Sequence, residues 1–292
     1  MNLPHSDFHF TVLTPAMVGG AVVQPIALHG RQNPSAARQP DTTSGSEPEM
    51  RAASIRGQVR WWHRFAHLSP ACDQVWGRTE PTPVIASRVR LEILPRGELQ
   101  TQPAQLLPHA GRDGTNHRNP WAKVESYRRG ITPGEIFILR LTRLVGCSQA
   151  AWDAAEKAVK VWLLLGCLGV RANRAAGSVW PTDAWAPQDE AGLKTLLTDL
   201  GYSKPVSIAA AALGATPQEL RKAASDTVEN EAFLGTARPG KRKPSPTKMK
   251  VVRFGTTHRL ILTAPDSATL SGAHIALCAK PLGGATWTPI LP

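Results

Sequence analysis

Ser54-Ile55-Arg56-Gly57-Gln58-Val59-Arg60-Trp61-Trp62-His63-Arg64-Phe65-Ala66-His67 decides how the rest of the chain is read. Ser54 is a residue type favoured at a helix N-cap, and Ile55, Val59, Trp62 and Ala66 recur at three- and four-residue intervals. That period predicts a helix with one buried stripe. Arg56, Arg60 and Arg64 then form a row on another face. Like charges at this spacing repel by roughly 0.2–0.5 kcal/mol per pair, and no acid lies between Ser54 and His67 to offset it. A row of guanidinium groups, each suited to bidentate phosphate recognition, points to a polyanion; a solvated basic face is the plainer alternative. Trp61, just outside the stripe, can stack on a base or cover the hydrophobic rim, and His63 lies on the same basic helix.

A second stretch changes the balance. Gly166-Cys167-Leu168-Gly169-Val170-Arg171-Ala172-Asn173-Arg174-Ala175-Ala176-Gly177-Ser178 follows an apolar helix and mixes glycines with two arginines. Glycines let a backbone approach a ribose-phosphate chain, and arginines three apart in such a loop can hold phosphates on either side of one nucleotide. A helix C-cap explains the first glycines equally well, but not both arginines.

The 292 residues suffice for two domains. With 34 Lys and Arg against 22 Asp and Glu, the formal charge is +12, a balance that favours nucleic acid over an anionic membrane surface or mere solubility. No apolar run reaches the roughly 18 residues of a membrane span, and the N-terminus lacks a signal peptide's basic-then-apolar order, which predicts a cytoplasmic protein. Cys72, Cys147, Cys167 and Cys278 lack the close spacing of a zinc site and read as buried thiols; the dispersed acids suggest no metal site either. Catalytic triads, P-loops and dinucleotide fingerprints are absent, so no cofactor is expected.

In chain order, 8–14 reads as a first strand stopped by Pro15, and 30–49 as a long mobile loop. After the arginine helix, 87–94 alternates like a half-exposed strand, and 95–133 reads as irregular, basic surface. Residues 135–145 form a strong strand, and Ser148 caps a helix with an apolar stripe of Trp152, Ala155, Val159, Trp162 and Leu163. Residues 183–235 read as a helical insertion, with a capping box at Thr216-Pro217-Gln218-Glu219. Residues 238–250, containing Lys241, Arg242 and Lys243, read as a basic loop that holds a polyanion or is simply solvated. Residues 259–263 and 274–278 read as closing strands. The chain then divides at 133/134 into two halves that each begin strand then helix.

This organisation resembles the RAMP superfamily of CRISPR proteins. Residues 54–62 resemble the hallmark of the first-subunit family of type III-B (Cmr) effector complexes. Residues 166–178 resemble the superfamily's loop Gly-Gly-x-Gly-x-Arg-x-x-Arg-Gly-x-Gly: Gly166, Gly169, Arg171, Arg174 and Gly177 match in register, while Cys167 and Ala175 stand where glycine is usual. A β-carbon at a left-handed position costs roughly 1 kcal/mol or more. Either Ala175 is not left-handed, then, or the loop holds RNA less tightly than its relatives. The resemblance implies an α+β fold of tandem ferredoxin-like (RRM-like) domains, 1–133 and 134–292, the second carrying the glycine loop and the helical insertion. It also implies a non-catalytic subunit that contacts crRNA near its 3′ end and the guide–target RNA duplex, beside other RAMP subunits of a Cmr complex. The RNA contacts it implies are Arg56, Arg60, Trp61, His63, Arg64, Gly169, Arg171, Arg174, Gly177, Ser178 and the run Lys241, Arg242, Lys243.

Two other functions compete. A metal-independent endoribonuclease processing crRNA precursor needs a base and an acid, for which His29, His63 and His67 are available on or near the arginine helix. A double-stranded DNA reader would place that helix in the major groove, but no helix-turn-helix partner precedes it, and Val59 and Trp62 belong to a core.

Overall fold

Phe8, Phe10 and Val12 recur at every second position on the buried face of strand β1, His5–Val12, with half-exposed Asp7 and His9 and buried Thr11 on the other face. The computed structural model describes residues 3–19, 48–80, 82–105, 127–209, 216–225, 232–235, 243–278 and 286–292. After β1 come α1 (Ala52–Phe65), the short α2 (Cys72–Trp76), β2 (Val89–Pro95), the paired β3 (Thr101–Gln105) and β4 (Tyr127–Ile131), β5 (Ile136–Arg143), α3 (Gln149–Leu165) and β6 (Val179–Pro181). There follow α4 (Glu190–Asp199), β7 (Val206–Ala209), α5 (Pro217–Ser225), β8 (Lys248–Phe254), β9 (Thr257–Thr263), α6 (Ser267–Cys278) and β10 (Trp287–Leu291).

Each four-stranded sheet is antiparallel and has the βαββαβ path of a ferredoxin-like unit. The first has the order β2-β5-β1-β6 and the second β10-β7-β9-β8. In each, the first strand of the unit lies centrally between its third and fourth. The tandem ferredoxin-like architecture is therefore present, but its division differs from the expected one. A boundary at 133/134 cuts the first sheet, because β5, α3 and β6 complete it; the first unit runs to Pro181 and the second begins at β7.

The other departures have local causes. The helical insertion over 183–235 is not an insertion: α4 links the units, and β7 is a central strand of the second sheet, too short and too uniformly buried to show a period. Residues 95–133 include the hairpin β3–β4, whose pairing shows no apolar alternation. The basic run ends earlier than expected, since Lys248 and Lys250 already belong to β8. His274 to Leu277 lies in α6, begun by Asp266, whose carboxylate accepts from the Thr269 N–H at 2.7 Å; a short apolar run does not tell helix from strand. Strand β10 had no sequence counterpart. Ser54 sits inside the first turn of α1 rather than capping it; the N-cap is Arg51, with no side-chain cap. Ser148 does cap α3, accepting from Ala151 N–H at 3.2 Å, and Thr216 and Glu219 form the capping box of α5.

Helix α3 is buried on most of its circumference, because it lies between the first sheet, α1 and the strand β8 of the second unit. Ser178 Oγ accepts from Val251 N–H at 3.0 Å, Ala175 N–H donates to Met249 O at 3.1 Å, and the Lys250 ammonium donates to Leu163 O. The glycine loop is thus the seam where the units meet.

Candidate nucleic-acid interface

Helix α1 carries two different sites on its flanks. Arg56, Arg60 and Arg64 line a groove of about 420 Å³ closed by Asp73, Arg78 and the 84–87 segment. Gln58, Trp61 and Trp62 face a separate cavity of about 240 Å³, walled by 165–167, Ala172, Asn173 and Lys248. The arginine row and the glycine loop do not share a pocket; Gln58, Trp61 and Trp62 are the α1 side chains that face the loop.

The groove has two acids that the helix sequence lacks, Asp73 and Glu80, of which Asp73 pairs with the arginine row. Asp73 Oδ1 lies 2.9 Å from Arg64 and 3.6 Å from Arg60, and Asp73 Oδ2 lies 3.9 Å from Arg78. The hydrogen bond to Asp73 is the main cause that raises the Arg64 pKa. Arg56 donates to Trp76 O, and burial is the larger cause, with Arg60 second, that lowers its pKa. Part of the row's mutual repulsion is therefore offset by one carboxylate, nine residues beyond Arg64 on α2.

In the cavity, Trp61 is 39% exposed, stacked on Phe65 with centroids 4.6 Å apart, and edge-on to Trp62. The Lys248 ammonium stands 4.8 Å from the Trp61 ring centroid and donates to Ser245 O at 3.0 Å, and burial pushes its pKa down to about 8. Gln58 Oε1 accepts from Trp162 Nε1–H at 3.1 Å, which fixes the amide and leaves its NH₂ as the donor to spare. Aromatic platform, cation and amides within one small cavity are the ingredients of base recognition.

Several expected contacts turn out to hold the fold. His63 is 1% exposed; its Nε2 lies 2.9 Å from Pro70 O and its Nδ1 accepts from Trp76 Nε1–H at 3.2 Å. Both nitrogens are thus used by the neutral Nε2–H tautomer, and the ring is not at the surface. Ser178 is fully buried, its Oγ donating to Ala175 O at 2.9 Å while accepting from Val251. Gly169 and Gly177 are left-handed with φ of 73° and 66°, and a Cβ would strike Met17 O and Leu168 O respectively. Their glycine requirement comes from packing within the chain. Ala175 is itself left-handed at φ 57°, and buried.

Arg171 and Arg174 remain on the half-buried apex of the loop, where the Arg174 guanidinium donates to Leu234 O at 2.7 Å. Burial first and Arg171 second lower Arg174 to about 10, and the same two causes lower Arg221 of α5 to about 10. The second unit thus adds a third arginine beside the loop. Lys243 is exposed; Lys241, Arg242 and His29 lie outside the described residues. Gln58 and Asn173 stand inside the two quoted stretches and Lys248 inside the basic run, but no spacing singles them out; Asp73 and the buried Arg221 lie outside every motif and have no periodic signal. Among the described residues, no group of three or more His, Cys, Asp or Glu side chains can hold a metal, and no helix is long and apolar enough to cross a membrane.

Two ferredoxin-like units, with a basic groove and an aromatic cavity flanking one helix, define an RRM-like α+β protein of the tandem kind. A family model described as RAMPs, the RAMP superfamily, matches residues 9–180, and the chain belongs to that superfamily. The match spans the first unit, β1 to β6. A search of the curated proteins finds no match. Among solved structures, the apo form of Cmr1 from Pyrococcus furiosus is similar over 99% of both chains, with TM-score 0.59 and 16% identity. A chain of the type III-B Cmr-beta complex bound to cognate target RNA covers 96% of this chain and 99% of its own, with TM-score 0.50 and 11% identity. A further Cmr-beta chain, from the complex with target RNA, AMPPnP and single-stranded DNA, covers 90% and 94%, with TM-score 0.54 and 11% identity. At these identities the likeness is one of fold.

Proposed function

We propose that the protein is a non-catalytic RNA-binding subunit of a type III-B CRISPR (Cmr) effector ribonucleoprotein. It contacts crRNA near its 3′ end and the guide–target duplex, alongside other RAMP subunits. The observation that carries this reading is the surface of α1, where an arginine groove and a Trp61–Lys248 cavity flank one helix of a RAMP fold. The formal charge of +12 supplies a field that draws in a polyanion. The buried, doubly hydrogen-bonded His63 is badly placed to move protons on a substrate, which disfavours the nuclease alternative.

Binding of the full chain to single-stranded RNA over a salt series tests this. The wild type is expected to lose affinity steeply with salt and to leave the RNA intact, and Arg60→Ala/Arg64→Ala to bind more weakly with a slope shallower by about one or two units. Salt-independent binding would remove the phosphate contacts from the reading, and RNA shortened without metal would replace it with the nuclease.

A further inference from the structure

Gly57 is a glycine in the interior of α1, where it costs roughly 0.8–1.0 kcal/mol relative to alanine. The other helical glycines have steric reasons inside the chain. A Cβ at Gly192 would come 3.2 Å from Asp189 Oδ1, and one at Gly272 would strike the Phe233 ring. At Gly57, which is exposed, a Cβ would meet nothing within 4 Å among the described residues. Its φ is not in the left-handed region either, so neither packing nor backbone conformation asks for glycine.

Its position suggests what does. At about 100° per residue, Gly57 falls between the arginine row and Trp61 around the helix. On one side lies the groove of Arg56, Arg60 and Arg64; on the other, the cavity of Gln58, Trp61 and Lys248. A side chain at Gly57 would stand as a ridge between them, and its absence leaves a low saddle. The cavity, at about 240 Å³, is smaller than the roughly 300–1,000 Å³ of pockets for drug-sized ligands, a size that suits one base.

We infer that a single RNA strand crosses α1 over Gly57, its phosphates held in the arginine groove and one unstacked base seated between Trp61 and the glycine loop. In that arrangement Trp61, braced by Phe65, supplies the stacking face, and Lys248 swings from the ring towards the phosphate beyond the base. The Gln58 NH₂ donates to an acceptor on the base edge, since its oxygen is held by Trp162. The inference rests on the RNA-binding reading and adds the path of the strand.

The test uses the full chain, a mixed-sequence single-stranded RNA, and the variants Gly57→Ala, Gly57→Leu, Trp61→Ala and Arg60→Ala. Gly57→Ala and Gly57→Leu are expected to melt at or above the wild-type temperature while Gly57→Leu binds RNA about tenfold more weakly, a combination that loss of folding cannot produce. Trp61→Ala is expected to bind about tenfold more weakly with an unchanged salt slope, because stacking and not charge is lost. If Arg60→Ala weakens binding but both Gly57 variants bind like the wild type, RNA binding stands and the crossing is wrong. If the wild type binds no RNA, the functional reading fails and the crossing with it.

Discussion

Ala175 shows how one residue can carry a cost that the surrounding structure holds in place. Its φ of 57° costs about 1 kcal/mol, yet its buried methyl returns about 0.8 kcal/mol. Ala175→Gly should therefore leave stability within about 1 kcal/mol of the wild type, whereas Ala175→Val, β-branched and overpacked, should lose more than about 2 kcal/mol in denaturant melts. Asp73 makes the complementary case on the surface. Its pairs with Arg60, Arg64 and Arg78 are partly exposed, so Asp73→Asn should cost under about 1 kcal/mol of stability. The same change should strengthen RNA binding at low salt by releasing the arginines from their internal anion; equal or weaker binding in a titration would show that the groove is not the phosphate site. Buried His63 has its pKa lowered, chiefly by desolvation. The unfolded ring takes up a proton below about pH 6.5 while the folded ring resists, so stability should fall from pH 7 to pH 5. His63→Gln should flatten that fall, even if it lowers the baseline. The arginine row was legible from spacing alone, but Asp73 was not, because a tertiary contact nine residues away has no periodic signature.

Among the elements, those with strong period were legible and those whose burial comes from the other unit were not. Strand β1, α1, β5 and α3 each show a stripe or an alternation in sequence, and the capping box of α5 marks its start. Strand β8 begins Lys248-Met249-Lys250, which reads as the end of a basic loop until Lys250 is seen fully buried, donating to Leu163 O and 5.8 Å from the Trp180 ring centroid. Leu163 lies in the last turn of α3, where carbonyls lack helical partners, so Lys250 acts as a cap delivered by another unit. Burial pushes its pKa down to about 7, against 10.5 when exposed. Above pH 7 the unfolded state therefore binds more protons than the folded one, and stability should rise from pH 7 to pH 8 by up to about 1.4 kcal/mol from this residue. Lys250→Met should remove most of that rise and leave the smaller part that Lys248, lowered to about 8, contributes; an unchanged rise in chemical denaturation would assign it to another group. Measurement stops at pH 8 because burial raises the Cys167 thiol, which opposes the trend once free thiols begin to ionise.

At the scale of the molecule, the tandem of ferredoxin-like units was legible only through the family resemblance, because the two strand-then-helix openings in the sequence, β1–α1 and β5–α3, both belong to the first unit, and the boundary placed between them falls almost fifty residues short. A unit is closed by its fourth strand, and β6, at three residues, is too short to announce itself. The glycine loop that precedes β6 then serves both units. Ala175 and Ser178 bond to β8, Cys167 Sγ lies 3.6 Å from Met249 O, and Met249, Val251, Leu163, Ala175 and Leu168 are all buried in one continuous core. An interface of this kind, apolar and stitched by backbone hydrogen bonds, couples the units more tightly than the polar contacts typical of independent domains. The full chain is accordingly expected to unfold in one transition, with calorimetric and van't Hoff enthalpies in agreement. A fragment of residues 1–133 should remain unfolded because it lacks β5, α3 and β6, while a fragment of residues 1–186 retains every strand of the first sheet but exposes the face that β8 covers, and should melt well below the full chain. Two resolved calorimetric transitions, with the 1–186 fragment melting at the temperature of one of them, would instead make the seam a contact between independent domains.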